Sequence, residues 1–117
     1  MIVEGQVYGG AAQGVGTALF EESTYDDSGQ PLASTLIDYL LPSATEIPRF
    51  RIRHTETLSP HSAYGIKGVG EGGAIAPAAA IVNAINDALI PLGARVNDIP
   101  ASPERILAAT ATASKPA

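Results

Sequence analysis

The chain contains no cysteine and no tryptophan, and its seven basic residues are outnumbered by twelve acidic ones. Without cysteine it can form no disulfide, no thiolate zinc site and no iron–sulfur ligand set of its own. A net charge of −5 offers no basic stripe to nucleic acid and no attraction to an anionic membrane surface. The longer apolar stretches are interrupted by Gln6, Gln13, Asn83, Asn86 and Asp87. None reaches the roughly 20 residues that cross a bilayer. The opening Met1-Ile2-Val3-Glu4 lacks the basic region and apolar core of a secretory signal, so the expected location is cytoplasmic. The only histidines, His54 and His61, have no Asp or Glu at a recognised metal-ligand spacing. Ser59 and Ser62 lie near a histidine in sequence, but no nucleophile-elbow pattern surrounds them.

What is present is a globular composition, 45% apolar and 16% charged over 117 residues, the size of one ordinary domain. Its most informative stretch is Lys67-Gly68-Val69-Gly70-Glu71-Gly72-Gly73, immediately before a long Ala/Ile segment. Glycines at this density let the backbone turn tightly and let a ligand approach the main chain. Glu71 would then stand in a loop at a helix entrance, where exposed N–H groups favour anions. A surface carboxylate near a helix start is more often a simple dipole contact, so a catalytic role needs a partner group elsewhere.

Earlier in the chain, Val7, Ala11, Val15, Ala18 and Leu19 recur at helical steps and predict a helix over residues 6–20. Gly9, Gly10, Gly14 and Gly16 each cost about 0.5–1 kcal/mol relative to alanine in a helix interior. Such a helix must pack closely against another backbone or a ligand. Gln6 and Gln13, seven apart, share one face. Of the two, Gln6 is the better ligand contact because it sits at the expected helix start, and Gln13 reads as a satisfied polar group.

Asp26-Asp27-Ser28-Gly29-Gln30-Pro31 is a turn signal, with extended segments expected on either side. Residues 49–58 alternate, with Phe50, Ile52 and His54 on one side and Arg49, Arg51 and Arg53 on the other. This is the best strand pattern in the chain. Ala78, Val82, Ile85 and Leu89 predict a second helix over residues 77–89, with Pro77 in its first turn. Ser102 and Pro103 predict the start of a short terminal helix, followed by a frayed, flexible tail over 108–117. The fold class expected is α+β: a small, mainly antiparallel sheet with two principal helices packed on one face, forming a single domain over 1–117.

Gly68-x-Gly70-x-x-Gly73 formally matches a dinucleotide-binding loop. No hydrophobic strand precedes it, no acid follows about 20 residues on, and Glu71 inside the loop would repel a pyrophosphate.

Three stretches together resemble a known family. They are Glu4-Gly5-Gln6-Val7-Tyr8-Gly9-Gly10-Ala11-Ala12-Gln13-Gly14-Val15-Gly16, Asp38-Tyr39-Leu40-Leu41-Pro42, and Gly65-Ile66-Lys67-Gly68-Val69-Gly70-Glu71-Gly72-Gly73. In order and separation they are similar to the C-terminal segment of the molybdenum-binding large subunit of the xanthine dehydrogenase / aldehyde oxidase / aerobic carbon monoxide dehydrogenase family. The similarity covers residues 2 to about 107 and is nearest in flavour to the carbon monoxide dehydrogenase-like chains.

That resemblance implies a molybdopterin-type molybdenum cofactor, in its cytosine dinucleotide form, and an oxidoreductase that draws its oxygen from water. It implies that Glu71 is the general base beside the molybdenum, that Gln6 lies against the cofactor, and that the loop of Lys67, Gly68, Val69 and Gly70 contacts the pterin. No metal ligand is implied in this chain. The partners implied are the remainder of the molybdenum subunit and iron–sulfur and flavin subunits or domains, with no nucleic acid and no membrane insertion. Family subunits are several times longer, so the isolated chain is expected not to turn over and to bind cofactor weakly or not at all. Exposed apolar surface would favour a homodimer of the isolated chain. The competing reading is a stand-alone binding or assembly domain that keeps the fold without the chemistry.

Overall fold

Helix α1 runs over Ile2–Leu19, α2 over Pro77–Leu89 and α3 over Pro103–Thr112, in a computed structural model that describes residues 1–113. Two short 3-10 turns, Ala63–Gly65 and Ile90–Leu92, complete the regular structure. α1 begins four residues before the expected start at Gln6. Glu4 in its first turn suits the positive end of the helix dipole.

Five of the 18 residues of α1 are glycine, and the helix persists because other backbone lies directly on it. A Cβ on Gly10 would stand 2.7 Å from Ala74 N and 2.7 Å from Gly73 C, and one on Gly73 would stand 2.5 Å from the Val7 carbonyl oxygen. A turn further on, a Cβ on Gly14 would collide with the Pro77 ring. The glycine face of α1 is therefore the surface on which the 70–76 loop and the start of α2 rest. The entropy that these glycines cost is offset by a contact no larger residue would permit.

α2 has Pro77 in its first turn, as the sequence predicts, and the 3-10 turn after it closes on Gly93 in the left-handed region, φ 63°. Its apolar face does not cover a sheet. Val82, Ile85 and Leu89 instead pack with Ala94, Val96 and Ala101 and with Ile106, Ala109 and Ala113 at and beyond α3. Asn86 holds the 94–98 segment to the helix. Its Nδ2 donates to Val96 O at 2.8 Å and its Oδ1 accepts from Val96 N at 2.8 Å. One amide side chain thus satisfies both polar groups of a half-buried backbone unit, as a neighbouring strand would.

Ser102 caps α3, accepting from Arg105 N. Arg105 donates to Pro100 O at 2.7 Å and pairs with Glu22 just after α1. Ala101 N donates to Ala18 O at 2.6 Å, and Ala18 is fully buried. The end of α1 and the start of α3 are joined in this way. α3 continues regularly through Thr112, into the stretch expected to be a frayed tail, and residues 114–117 lie outside the described residues.

The expected antiparallel sheet is not there. Among the described residues there is no strand and only one isolated bridge, between Tyr25 and Pro31. That bridge closes the anticipated turn, in which Asp26 Oδ1 accepts from Ser28 N at 2.8 Å, Ser28 Oγ at 2.6 Å and Gln30 N at 3.0 Å. These bonds, led by the Ser28 hydroxyl, hold the Asp26 carboxyl below the usual carboxylate range. Residues 49–58 do alternate in exposure at Arg49, Phe50, Arg51, Ile52 and Arg53, yet what covers them is α1, through Tyr8, and no described segment pairs with them as a strand. Alternation records which face of a segment is covered, whereas a sheet requires a neighbour to exchange hydrogen bonds. The chain is correspondingly extended. Its radius of gyration is 18.2 Å, against about 13 Å for a compact domain of this length.

Candidate functional site

A cavity of about 580 Å³ opens between α1 and the glycine loop, lined by Gln6, Gly9, Gly10, Gln13, Gly70, Glu71, Ala74 and Ile75. Its volume lies within the roughly 300–1,000 Å³ of small-molecule sites. One wall is the Gln6–Gln13 face of α1. The opposite wall is the turn in which Val69 O accepts from Gly72 N at 3.3 Å and Glu71 O accepts from Ala74 N at 2.9 Å. The walls meet at the Gly10–Gly73 contact, so the glycines that let α1 and the loop touch also fix the width of the cleft between them.

Gln6 and Glu71, named from sequence as cofactor contact and base, line the same cavity together with Gly70. Gly70 faces Gln6: a Cβ there would lie 3.8 Å from Gln6 Nε2. Lys67, Gly68 and Val69 do not line the cavity; Lys67 and Gly68 precede the turn that Val69 opens, and a Cβ on Gly68 would meet open space. Glu71 stands six residues before the first residue of α2, in the turn itself, so it does not cap that helix. Gln6 is within α1 and not at its start; the helical register, not a free helix end, brings it to the cleft.

Gln13 was undervalued by sequence reasoning. It is exposed, lines the cavity with Gln6, and among the described residues its side-chain amide makes no hydrogen bond. The seven-residue spacing was the signal that could have found it. Gln6 and Glu71 are exposed and equally uncommitted: no described side chain or backbone group bonds to the Gln6 amide, and no described cation pairs with the Glu71 carboxylate. Two amides and a carboxylate without internal partners, around a cleft of small residues, are equipped to bind a polar, flat group and to accept a proton from it.

A second interaction supports α1 from behind. The Tyr39 hydroxyl donates to Glu21 Oε2 at 2.7 Å, and the Glu21 carboxylate lies over Gly16 with the Pro42 ring beside it. The Glu21 carboxylate raises the Tyr39 pKa above its ordinary value. The Asp38–Pro42 stretch is thereby pinned against the end of α1, where Leu41 and Pro42 line a second hollow that shares Gln13 with the cleft.

The segment before the glycine loop holds the 3-10 turn Ala63–Gly65 and no strand, so the loop lacks the context of a dinucleotide-binding turn. No described helix is long and apolar enough to cross a membrane.

Comparisons with known proteins bear on the family and the fold. Residues 1–48 match the molybdopterin cofactor-binding domain family. The chain is 47% identical over 109 residues to the nicotine 6-hydroxylase large subunit of Paenarthrobacter nicotinovorans, covering 93% of this chain and 13% of that protein. It is 41% identical to the carbon monoxide dehydrogenase large chain of Afipia carboxidovorans, covering 75% of this chain and 11% of that one. The crystal structure of quinoline 2-oxidoreductase from Pseudomonas putida 86 superposes with a TM-score of 0.94 at 48% identity, covering 97% of this chain and 14% of the matched chain. The chain thus spans about one-seventh of the relatives it matches, and it belongs, as a segment of that length, to the family of molybdenum-binding large subunits that includes xanthine dehydrogenase and carbon monoxide dehydrogenase.

Proposed function

We propose that this chain is the part of a molybdenum hydroxylase catalytic subunit that carries the general base, Glu71, and part of the cofactor cradle. The observation that carries the reading is the convergence of Gln6, Gly70 and Glu71 on one cavity, with the carboxylate free of any described partner. The residues fit the cofactor: the wall at Gly9 and Gly70 has no Cβ to keep a ligand from the backbone, and Gln6 and Gln13 offer amide donors and acceptors. The cofactor, bound as the cytosine dinucleotide form, supplies the two-electron oxidising centre.

This chain's own contribution is positioning and proton transfer. The glycine contact between α1 and the loop sets the distance across the cleft. Glu71 accepts the proton of a water-derived nucleophile, a role a carboxylate can fill at neutral pH. Gln6 and Gln13 orient the cofactor from the helix side, and the exposed Lys67 and Gly68 with the half-buried Val69 continue the cradle from the loop side. The remaining loops come from the rest of the large subunit, with iron–sulfur and flavin partners taking the electrons. A domain retained only for packing or assembly would have no use for an unpaired acid at this position.

The test is metal analysis by mass spectrometry of the chain purified from its host, with co-eluting proteins identified. Molybdenum in a complex with a longer large-subunit polypeptide is the expected result. A metal-free chain that elutes alone would contradict it.

A further inference from the structure

The second hollow beside the cleft has a volume of about 430 Å³ and is lined by Ala12, Gln13, Glu21, Leu41, Pro42 and Ile47. Gln13 and Glu21 are the only side chains in that lining able to make a hydrogen bond. Glu21 reaches the hollow by folding back on α1: its N–H donates to Gly16 O at 2.9 Å, and a Cβ on Gly16 would collide with Glu21 Oε1. Positions three apart on a helix, as Gln13 and Gly16 are, stand about 5–6 Å apart at Cβ. The carboxylate over Gly16 is therefore within one turn of the Gln13 amide. Its two oxygens are unequally used. Oε2 accepts from the Tyr39 hydroxyl at 2.7 Å, and no described donor bonds to Oε1. Nor does a carboxylate there serve the helix, because α1 has no basic residue in its last turn and negative charge at a helix C-terminus is unfavourable.

We propose that Glu21 is a positioning residue for the cleft: its free Oε1 accepts from Gln13 Nε2, which turns the Gln13 carbonyl oxygen into the cleft to accept from a ligand N–H. The inference rests on the cofactor reading above and deepens it by giving one amide a direction. An amide side chain carries donors on one branch and an acceptor on the other, and left to itself it can present either. An ionised carboxylate only accepts, so a Gln13 that meets Glu21 has one way to face. Glu21 is half-buried, and its unused oxygen gains the donor that such atoms normally have. Gln13 is exposed and its amide makes no bond among the described residues, so a change of rotamer breaks nothing. The ligand that this arrangement suits is a flat polar group with N–H donors along its edge, as a pterin has. Outer carboxylates that fix a ligand-contacting side chain in this way are common beside metal sites, and their loss typically costs about 10–100-fold in affinity.

The test uses a chimera in which this chain replaces the matched segment of the quinoline 2-oxidoreductase chain. Its readout is molybdenum retained per chain after dialysis, with no turnover measured. Glu21→Gln keeps the shape and a partner for Tyr39 but no longer fixes which way Gln13 faces. It is expected to lower retained molybdenum by about 10-fold, the low end of the usual loss for such a partner. Gln13→Ala should match it, and the double variant should lose no more than Gln13→Ala alone, because the two side chains act as one unit. Tyr39→Phe separates orientation from support: it lowers the melting temperature, yet leaves Oε1 to Gln13 and should retain the metal. Near-wild-type retention by Glu21→Gln, losses that multiply in the double variant, or an equal loss in Tyr39→Phe would each overturn the proposal. Where Gln6→Ala still loses the metal, the cofactor reading survives that failure; where Gln6→Ala retains it too, both fall.

Discussion

Gly73 lies against Val7 so closely that a Cβ on Gly73 would stand 2.5 Å from the Val7 carbonyl oxygen and 2.8 Å from its Cα. This contact places the Glu71 turn on α1 and is the structural origin of the cleft. Both neighbours are backbone atoms and cannot rotate away. Gly73→Ala is therefore expected to destabilise the protein by about 1–3 kcal/mol, the usual cost of overpacking. Gly10→Ala should behave alike, since its Cβ meets Gly73 and Ala74 backbone at 2.7 Å. Gly9→Ala, with nothing within 4 Å, should be neutral or slightly stabilising. Urea unfolding of the three variants checks the order.

The paired amides on α1 make a separate prediction. In a chimera in which this chain replaces the matched segment of the quinoline 2-oxidoreductase chain, Gln6→Ala and Gln13→Ala should each lower the molybdenum content, by amounts within a few-fold of one another, because both line the same wall. Retention by Gln13→Ala alone would restore the view that only Gln6 matters. Metal analysis of the purified variants decides it.

Asn86→Ala should cost about 1–3 kcal/mol, because it strands the half-buried N–H and C=O of Val96 together. Asn86→Asp keeps the acceptor and loses the donor, and should fall between the two. Chemical denaturation midpoints measure both.

The Tyr39–Glu21 bond gives the fold an alkaline limit. The Tyr39 pKa is raised, first by its hydrogen bond to Glu21 and then by burial and the carboxylate charge. A raised acid favours folding while it is protonated. Its contribution is fully present below the ordinary tyrosine value of about 10 and is lost as pH rises through the raised one. Wild type should melt above Tyr39→Phe at neutral pH, and the gap should close once pH passes well above 10. A gap that persists there would contradict the assignment.

How much of this was legible in the sequence differs from element to element. α2 was, because Pro77 fixes its first turn and its apolar steps run uninterrupted to Leu89. The Asp26–Pro31 turn and the Ser102–Pro103 helix start were legible because capping and turn chemistry are local. The start of α1 was not: Gly5 makes residues 2–5 look unhelical, and the contacts with the 70–76 loop that anchor the helix begin only at Gln6 and Val7 and come from residues distant in sequence. The sheet was misread for a related reason. Phe50 and Ile52 are covered as strand residues are, but the covering element is α1, and no pairing neighbour is found among the described residues. In the site, Glu71 and Gln6 could be named from sequence. Gln13 was set aside by a rule about buried amides, and the residue is exposed. The Asn86–Val96 clasp left no signal, since one Asn in a helix reads as surface.

The central claim is that Glu71 moves a proton while the cleft around it binds the cofactor. The direct measurement compares Glu71→Gln with wild type in the chimera, turnover being measured on preparations of equal molybdenum content. The substitution preserves size and hydrogen bonding and removes the base. Turnover lower by on the order of 10²–10⁴-fold, at unchanged metal content, is the result expected of a lost general base. Turnover within about threefold of wild type would contradict the assignment and leave Glu71 as a surface acid beside the site.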